Sequence, residues 1–257
     1  MNNTLKKLVQ TFCSLLFWLG LWAIASFRAN NTFILPSPLK VIKAMFALFK
    51  DPDFLMITAQ SLGRIFIGVL VAILLGIILA VITVRFSFVN TLITPFMSTV
   101  KATPVASFIF IAIIFMSRNV LPAFITVLLV LPIIWTNISS GIRSTQRELL
   151  EVTKVYKFSP LTKLTRLYIP TVLPYFLAAC RSSLGMAWKA GVAAEVLCTP
   201  TSAIGTELYF AKTYMDTEAL FAWTLITIIL SLIIEKSIVF FISRFSSSVS
   251  AETEVRA

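Results

Sequence analysis

The chain has 257 residues, 58% of them hydrophobic and only 13% charged, and its mean hydropathy is +0.93. Soluble domains carry about 25% charged residues, and here the apolar residues come in long runs, so a soluble globular protein and a disordered tail are both excluded and a polytopic membrane protein is indicated. The 22 Lys/Arg against 11 Asp/Glu give a formal charge of +11, read in a membrane chain as basic cytoplasmic loops facing anionic lipid, with no nucleic-acid partner.

The first apolar run is Leu8 to Ser26, after Lys6 and Lys7. Its flanks resemble a signal peptide, with Ala23-Ile24-Ala25 as a cleavage-like triplet. Its length suits a bilayer span, and we expect a retained first helix at about 8–27. Leu35-Pro36-Ser37-Pro38 then offers Ser37 as N-cap and Pro38 as first helical residue. Val41, Ile42, Met45, Phe46 and Phe49 follow at helical spacing, in a stretch too short to span and suited to lying in the interface.

Ile65 to Thr83 contains no charge and no proline, and Gly68, Ala72, Gly76 and Ala80 fall four apart on one face. That spacing of small residues lets another helix approach closely, within a span at about 65–84. The next run, about 92–116, is interrupted by Pro95, Lys101 and Pro104. It reads either as a broken span or as a loop entry followed by a short helix. Further spans are expected at about 120–140, 171–197 and 220–241, the fifth rich in small residues, with a serine-rich frayed tail over 245–257.

Orientation follows from the loop 141–166, which holds Arg143, Arg147, Lys154, Lys157, Lys163 and Arg166 against only Glu148 and Glu151. The positive-inside rule places it in the cytoplasm, and six spans then place both termini there. Arg28, Lys40, Lys43 and Lys50 run against this assignment, but less densely.

Two short amphipathic helices are predicted in that loop. The first carries Leu149, Val152, Val155 and Tyr156 as a stripe, with Glu148 and Glu151 near its positive end. The second starts at Ser159-Pro160, gathers Leu161, Leu164, Leu167 and Tyr168, and is expected to end at Pro170. Such a pair forms a docking surface for lipid or for a protein groove.

This loop resembles the cytoplasmic signature E-A-A-x3-G-x9-I-x-L-P of permease subunits from binding-protein-dependent ABC importers. Glu151-Val152-Thr153 stands at E-A-A, Lys157 at the glycine, and Leu167-Tyr168-Ile169-Pro170 at I-x-L-P, with no gap. Leu35-Pro36-Ser37-Pro38, Ser61-Leu62-Gly63-Arg64, Ala187-Trp188, Ala193-Ala194-Glu195 and Ile204-Gly205 are similar to motifs of the nitrate/sulfonate/taurine-type branch. The resemblance implies that Glu151, Val152, Thr153, Lys157, Ile169 and Pro170 couple the spans to a separate ATPase. There are two departures. Lys157 replaces a glycine that would permit a left-handed turn, so either the turn uses ordinary φ angles or the junction differs. Ala203 replaces the first glycine of a later Gly-Leu-Gly.

What is missing agrees. No Gly-Lys pair exists, so no P-loop does either, and ATP with its magnesium belongs to partner subunits. With no histidine, imidazole catalysis and His-ligated metal sites are excluded, and the remote Cys13, Cys180 and Cys198 read as packing residues.

Lys101, Arg181, Lys189 and Glu195 lie in or beside the apolar runs. A lone charge at the bilayer centre costs about 2.5–3.5 kcal/mol, so each must face the protein interior, a wet path or a membrane edge. Arg181 and Lys189, eight apart, share a broad helical face, while Glu195 points away from Lys189. Two readings stay open: the cations favour an anion in a translocation path, or they snorkel and pair. Glu195 is either a structural acceptor or part of a gate.

The sequence therefore predicts an all-α polytopic membrane protein, a single permease domain of six transmembrane helices over 1–257 with a coupling loop at 141–170. The resemblance implies a homodimer, two cytoplasmic ATPase subunits and an extracytoplasmic binding protein, with no cofactor or metal held by this chain. The solute is expected to be a small anion or a vitamin-precursor-like molecule. An ion-gradient-driven transporter is the alternative, disfavoured by the coupling signature and by the scarcity of intramembrane acids. A membrane-embedded enzyme fits poorly, because no carboxylates cluster.

Overall fold

Small residues decide where the long helices meet. Helix α3 (Phe54–Arg85) buries Gly68, Ala72, Gly76 and Ala80 along one side, against α6 (Leu121–Arg143). A Cβ on Gly68 would come within 2.6 Å of the Ala123 carbonyl, and one on Gly76 within 2.9 Å of Ile134 Cβ. On its other flank α6 packs against α9 (Ile169–Cys198), whose small residues allow an equally close approach. The computed structural model describes residues 3–29, 31 and 33–254, with side chains at 6, 9–29, 31 and 33–240.

The other helices are α1 (Asn3–Ala29), α2 (Pro38–Leu48), α4 (Ser87–Ala102), α5 (Val105–Phe115), α7 (Arg147–Val155), α8 (Pro160–Lys163), α10 (Ile204–Thr213) and α11 (Thr217–Glu254). A π-helical turn, Leu164–Tyr168, joins α8 to α9. Among the described residues there is no strand. The protein is thus all-α, and α1, α3, α6 and α11 are long and apolar enough to cross a membrane. Helices α4 and α5 supply a fifth crossing if taken together, although they bend by 106° at their junction. Helix α9 is 30 residues long and carries Arg181, Lys189 and Glu195 within its apolar length.

The interruption at Thr103-Pro104 is a full break, because Pro104 disfavours helix at the residue before it. Pro95, by contrast, lies inside α4 without ending it. Helix α2, too short to span, is anchored to the bundle: Val41 is fully buried, α2 packs on α11, and Lys40 pairs with Glu218 at 3.2 Å. Two further expectations are corrected. Pro170 does not end a helix, since it occupies the first turn of α9, where no intrahelical N–H is required. The segment after Arg244 runs on as helix to Glu254, with residues 255–257 outside the described residues.

Buried polar side chains find partners across these packings. Trp135 Nε1 donates to Thr83 Oγ1 at 2.9 Å, and Trp188 Nε1 donates to the Thr227 carbonyl at 3.2 Å. Helix α1 is held near its C-terminal end, where Trp22 donates to the Pro36 carbonyl at 3.1 Å and stacks on Phe221. The rest of its apolar length is unburied by this chain.

Candidate functional site

The loop after α6 is built to project rather than to pack. Thr153 turns inward and is buried, while Leu149, Val152, Val155 and Tyr156 are 44%, 45%, 77% and 72% exposed. The apolar stripe of α7 is therefore uncovered by this chain, with Glu151 exposed beside it. At the end of α7 the Phe158 N–H donates to the Thr153 carbonyl at 2.9 Å and the Lys157 N–H to the Lys154 carbonyl at 3.1 Å. That pair of bonds is the Schellman helix stop, which needs a left-handed residue between them. Lys157 supplies it, with φ of 48°. So the turn keeps the geometry a glycine would give, although a side chain is present, at a cost of about 1 kcal/mol.

The chain then restarts as expected: Ser159 Oγ accepts from the Thr162 N–H at 3.1 Å, capping α8. Leu167 is buried, whereas Ile169 is half-exposed and Pro170 exposed at the head of α9. Hence Glu151, Val152, Thr153 and Lys157 form one projecting unit, while Ile169 and Pro170 belong to the root of a span.

The four charges singled out within the spans fall into two groups. Lys101, Arg181 and Lys189 are exposed on the surface of this chain. Lys101 Nζ donates to Thr136 Oγ1 on α6 at 2.8 Å. Arg181 and Lys189 share a face of α9 with Ala178, Ser182 and Ala193, all exposed. No ion pair involves any of the three cations among the described residues.

Glu195 is fully buried, and six residues beyond Lys189 it is turned well away from that lysine around α9. Its carboxylate pairs with Arg64 Nη1 at 3.2 Å and accepts from Ser61 Oγ at 2.9 Å and from the Gly205 N–H at 3.2 Å. Ser61 Oγ in turn accepts the Ile204 N–H at 2.9 Å. The guanidinium of Arg64 also donates to Gln60 and to the carbonyls of Thr201 and Ser202. Asn119 Oδ1 ties the same turn from the α5–α6 loop, accepting from the Thr201 N–H at 3.0 Å. A Cβ at Gly205 would overlap Glu195 itself, so only glycine admits α10 this close. The structure thus places Glu195 in a structural knot and apart from the three cations.

Arg64 is the residue sequence reasoning did not assign to the membrane interior. The signal was present: Arg64 abuts the charge-free run that starts at Ile65, and a buried acid needs a cation. Beside the knot, Glu207 on α10 has its carboxyl pushed above the usual range by burial and by the nearby Asp51 and Asp53.

Comparison with known proteins follows the same line. Residues 72–247 match the family described as binding-protein-dependent transport system inner membrane component. A probable ABC transporter permease protein of Brucella melitensis is 25% identical over 230 residues, covering 89% of this chain and 92% of its own. The bicarbonate transport system permease protein CmpB of a Synechocystis species is 27% identical over 150 residues, 58% of this chain and 53% of its own. The nitrate import permease protein NrtB of Leptolyngbya laminosa is 23% identical over 224 residues, 83% of this chain and 78% of its own.

Proposed function

The chain belongs to the family of inner-membrane components of binding-protein-dependent transport systems, and from that premise we propose how its parts divide the work of an ATP-driven anion importer. As a permease subunit of such an importer it works in the inner membrane with ATPase and binding-protein subunits. In our reading two copies of this chain form the path, two cytoplasmic ATPase subunits supply ATP and magnesium chemistry, and α7 docks on them through Leu149, Val152, Val155 and Glu151. Both termini and residues 141–170 are cytoplasmic in this scheme.

The observation that carries the reading is the exposed cationic face of α9. Arg181 and Lys189 stand exposed on a membrane-embedded chain with no carboxylate partner among the described residues. Facing lipid, each would cost about 2.5–3.5 kcal/mol. Set against the same face of a second copy they line a wet path instead, where the small side chains beside them leave room for a solute. Two Lys189 side chains, joined by Lys101 on its Thr136 support, favour a small oxyanion such as those named in the relatives, nitrate or bicarbonate.

The test is transport by the complete importer in vesicles. Lys189→Met should assemble normally yet lose about tenfold or more of nitrate or bicarbonate uptake, the magnitude of one charge-assisted contact, while Lys189→Arg keeps part of it. Full uptake by Lys189→Met would end the anion-path assignment. Orientation is read separately: single cysteines at Ser144 and Thr162, in a background lacking Cys13, Cys180 and Cys198, should resist impermeant reagents in intact cells. Labelling from outside would reverse the topology.

A further inference from the structure

We infer that the groove between α3, α6 and the root of α9 holds an anionic phospholipid, with an acyl chain in the groove and its phosphate at Arg85. The groove is a cavity of about 620 Å³ whose walls are Ile77 and Val81 of α3, Ile138 of α6, and Val172 and Phe176 of α9. Arg85 is the one charged residue in its lining, and it is the last residue of α3. Ile77 lies eight residues deeper, about 12 Å along the helix at 1.5 Å per residue. That depth nearly matches one leaflet, about 15 Å of a hydrocarbon core about 30 Å thick. A chain-shaped apolar ligand entering from the membrane edge fits this channel.

The mouth selects the head group. Arg85 is exposed, lies 5.4 Å from the Phe86 ring centroid, and forms no ion pair with a described carboxylate. On the facing side, the π-helical turn brings Leu164 and Tyr168 into the groove wall. Lys163 sits 5.7 Å from the Tyr168 ring centroid. Arg85, and Lys163 through its contact with Tyr168, therefore flank an apolar slot at one membrane edge with no acid in its lining. Basic pockets between spans at the cytoplasmic edge bind anionic head groups in this way, at about 1 kcal/mol per cation. A zwitterionic lipid has the same chains but adds a quaternary or primary ammonium beside these cations, so the charge pattern favours a phosphatidylglycerol-type lipid.

The turn links this lipid to transport. A single π-helical turn inside an otherwise α-helical segment is a common mark of a functional position, and here it joins the docking loop to α9. A chain seated against Tyr168, Val172 and Phe176 would brace the α9 root when the loop moves.

Assignment of the mouth to the inner leaflet rests on the cytoplasmic loop placement proposed above, but lipid retention in nanodiscs does not depend on orientation, so the two fail separately. The permease–ATPase complex is placed in nanodiscs of phosphatidylglycerol or of phosphatidylcholine with the same acyl chains, extracted mildly and weighed by native mass spectrometry. The wild-type complex should keep phosphatidylglycerol and release phosphatidylcholine. Arg85→Gln should weaken phosphatidylglycerol retention about fivefold, with Arg85→Lys close to wild type. Ile77→Trp, which fills the slot, should abolish retention while assembly is unchanged. Equal retention of the two lipids, or undiminished phosphatidylglycerol in Arg85→Gln, overturns the proposal. No lipid on the wild type, with subunit assembly lost in Ile77→Trp, also overturns it and assigns the groove to a second copy of the chain.

Discussion

Helix α9 handles charge in two opposite ways along its length. Near its C-terminal end Glu195 is completely enclosed, paired with Arg64 and supplied with donors from Ser61 and Gly205. In its middle Arg181 and Lys189 are exposed, with no ion-pair partner among the described residues. The same hydrophobic surroundings penalise both, so the difference lies in whether the fold itself completes the charge's bonding. A charge whose bonding is completed inside the fold holds the fold together. A charge left incomplete on the chain's surface is open to a partner outside the fold, and in the scheme proposed above that partner is a solute in the path between two copies.

The strongest way to break this contrast is at the knot. Arg64→Ala or Glu195→Leu leaves a buried charge unmatched and should cost about 3–5 kcal/mol, seen as loss of the complex from the membrane or a much lower Tm. The double variant Arg64→Met with Glu195→Leu should recover much of that loss, because matched apolar replacement of a buried pair is tolerated. If Glu195→Leu instead folded normally and changed only solute uptake, Glu195 would belong with the cations.

The α7 loop differs from the knot in that it leaves its apolar stripe of Leu149, Val152, Val155 and Tyr156 exposed. Glu151→Lys should abolish solute-stimulated ATP hydrolysis while the spans stay folded, consistent with the about 2–5 kcal/mol lost when an interface charge loses its partner. Parent-like ATP hydrolysis and transport by that complex would sink the docking role. Lipid would then be the better partner for the stripe.

The smallest effect is expected at the turn itself. Lys157 has φ of 48°, so Lys157→Gly should stabilise the loop by about 1 kcal/mol through relief of the left-handed strain, partly offset by greater freedom of the unfolded chain. Hydrogen exchange over residues 147–163 would show it as slower opening. Faster opening would mean that the lysine side chain contributes contacts that outweigh its backbone strain.

Much of this molecule was legible from residues close together in sequence. The apolar runs, the small-residue face of α3, the break at Pro104, the Ser159 cap and the stripe on α7 all follow from local periodicity or local backbone chemistry. Other features were misread for equally physical reasons. Pro170 looked like a stop, because from sequence a proline in the first turn of a new helix resembles one ending an old helix. Lys157 looked incompatible with a left-handed turn, but the two Schellman bonds and the Ser159 cap on either side outweigh a strain of about 1 kcal/mol.

The sequence by itself determined the class of the protein and the chemistry of its loop, because length of an apolar run, charge bias and helical spacing are properties of neighbouring residues. Only the tertiary structure decided which charges are spent inside the fold. Arg64 and Glu195 are 131 positions apart, and the motifs around Ser61, Glu195 and Gly205 meet only when α3, α9 and α10 pack together. Desolvation, and with it the distinction between a holding charge and a waiting one, depends on what surrounds a side chain in space, which no local pattern encodes.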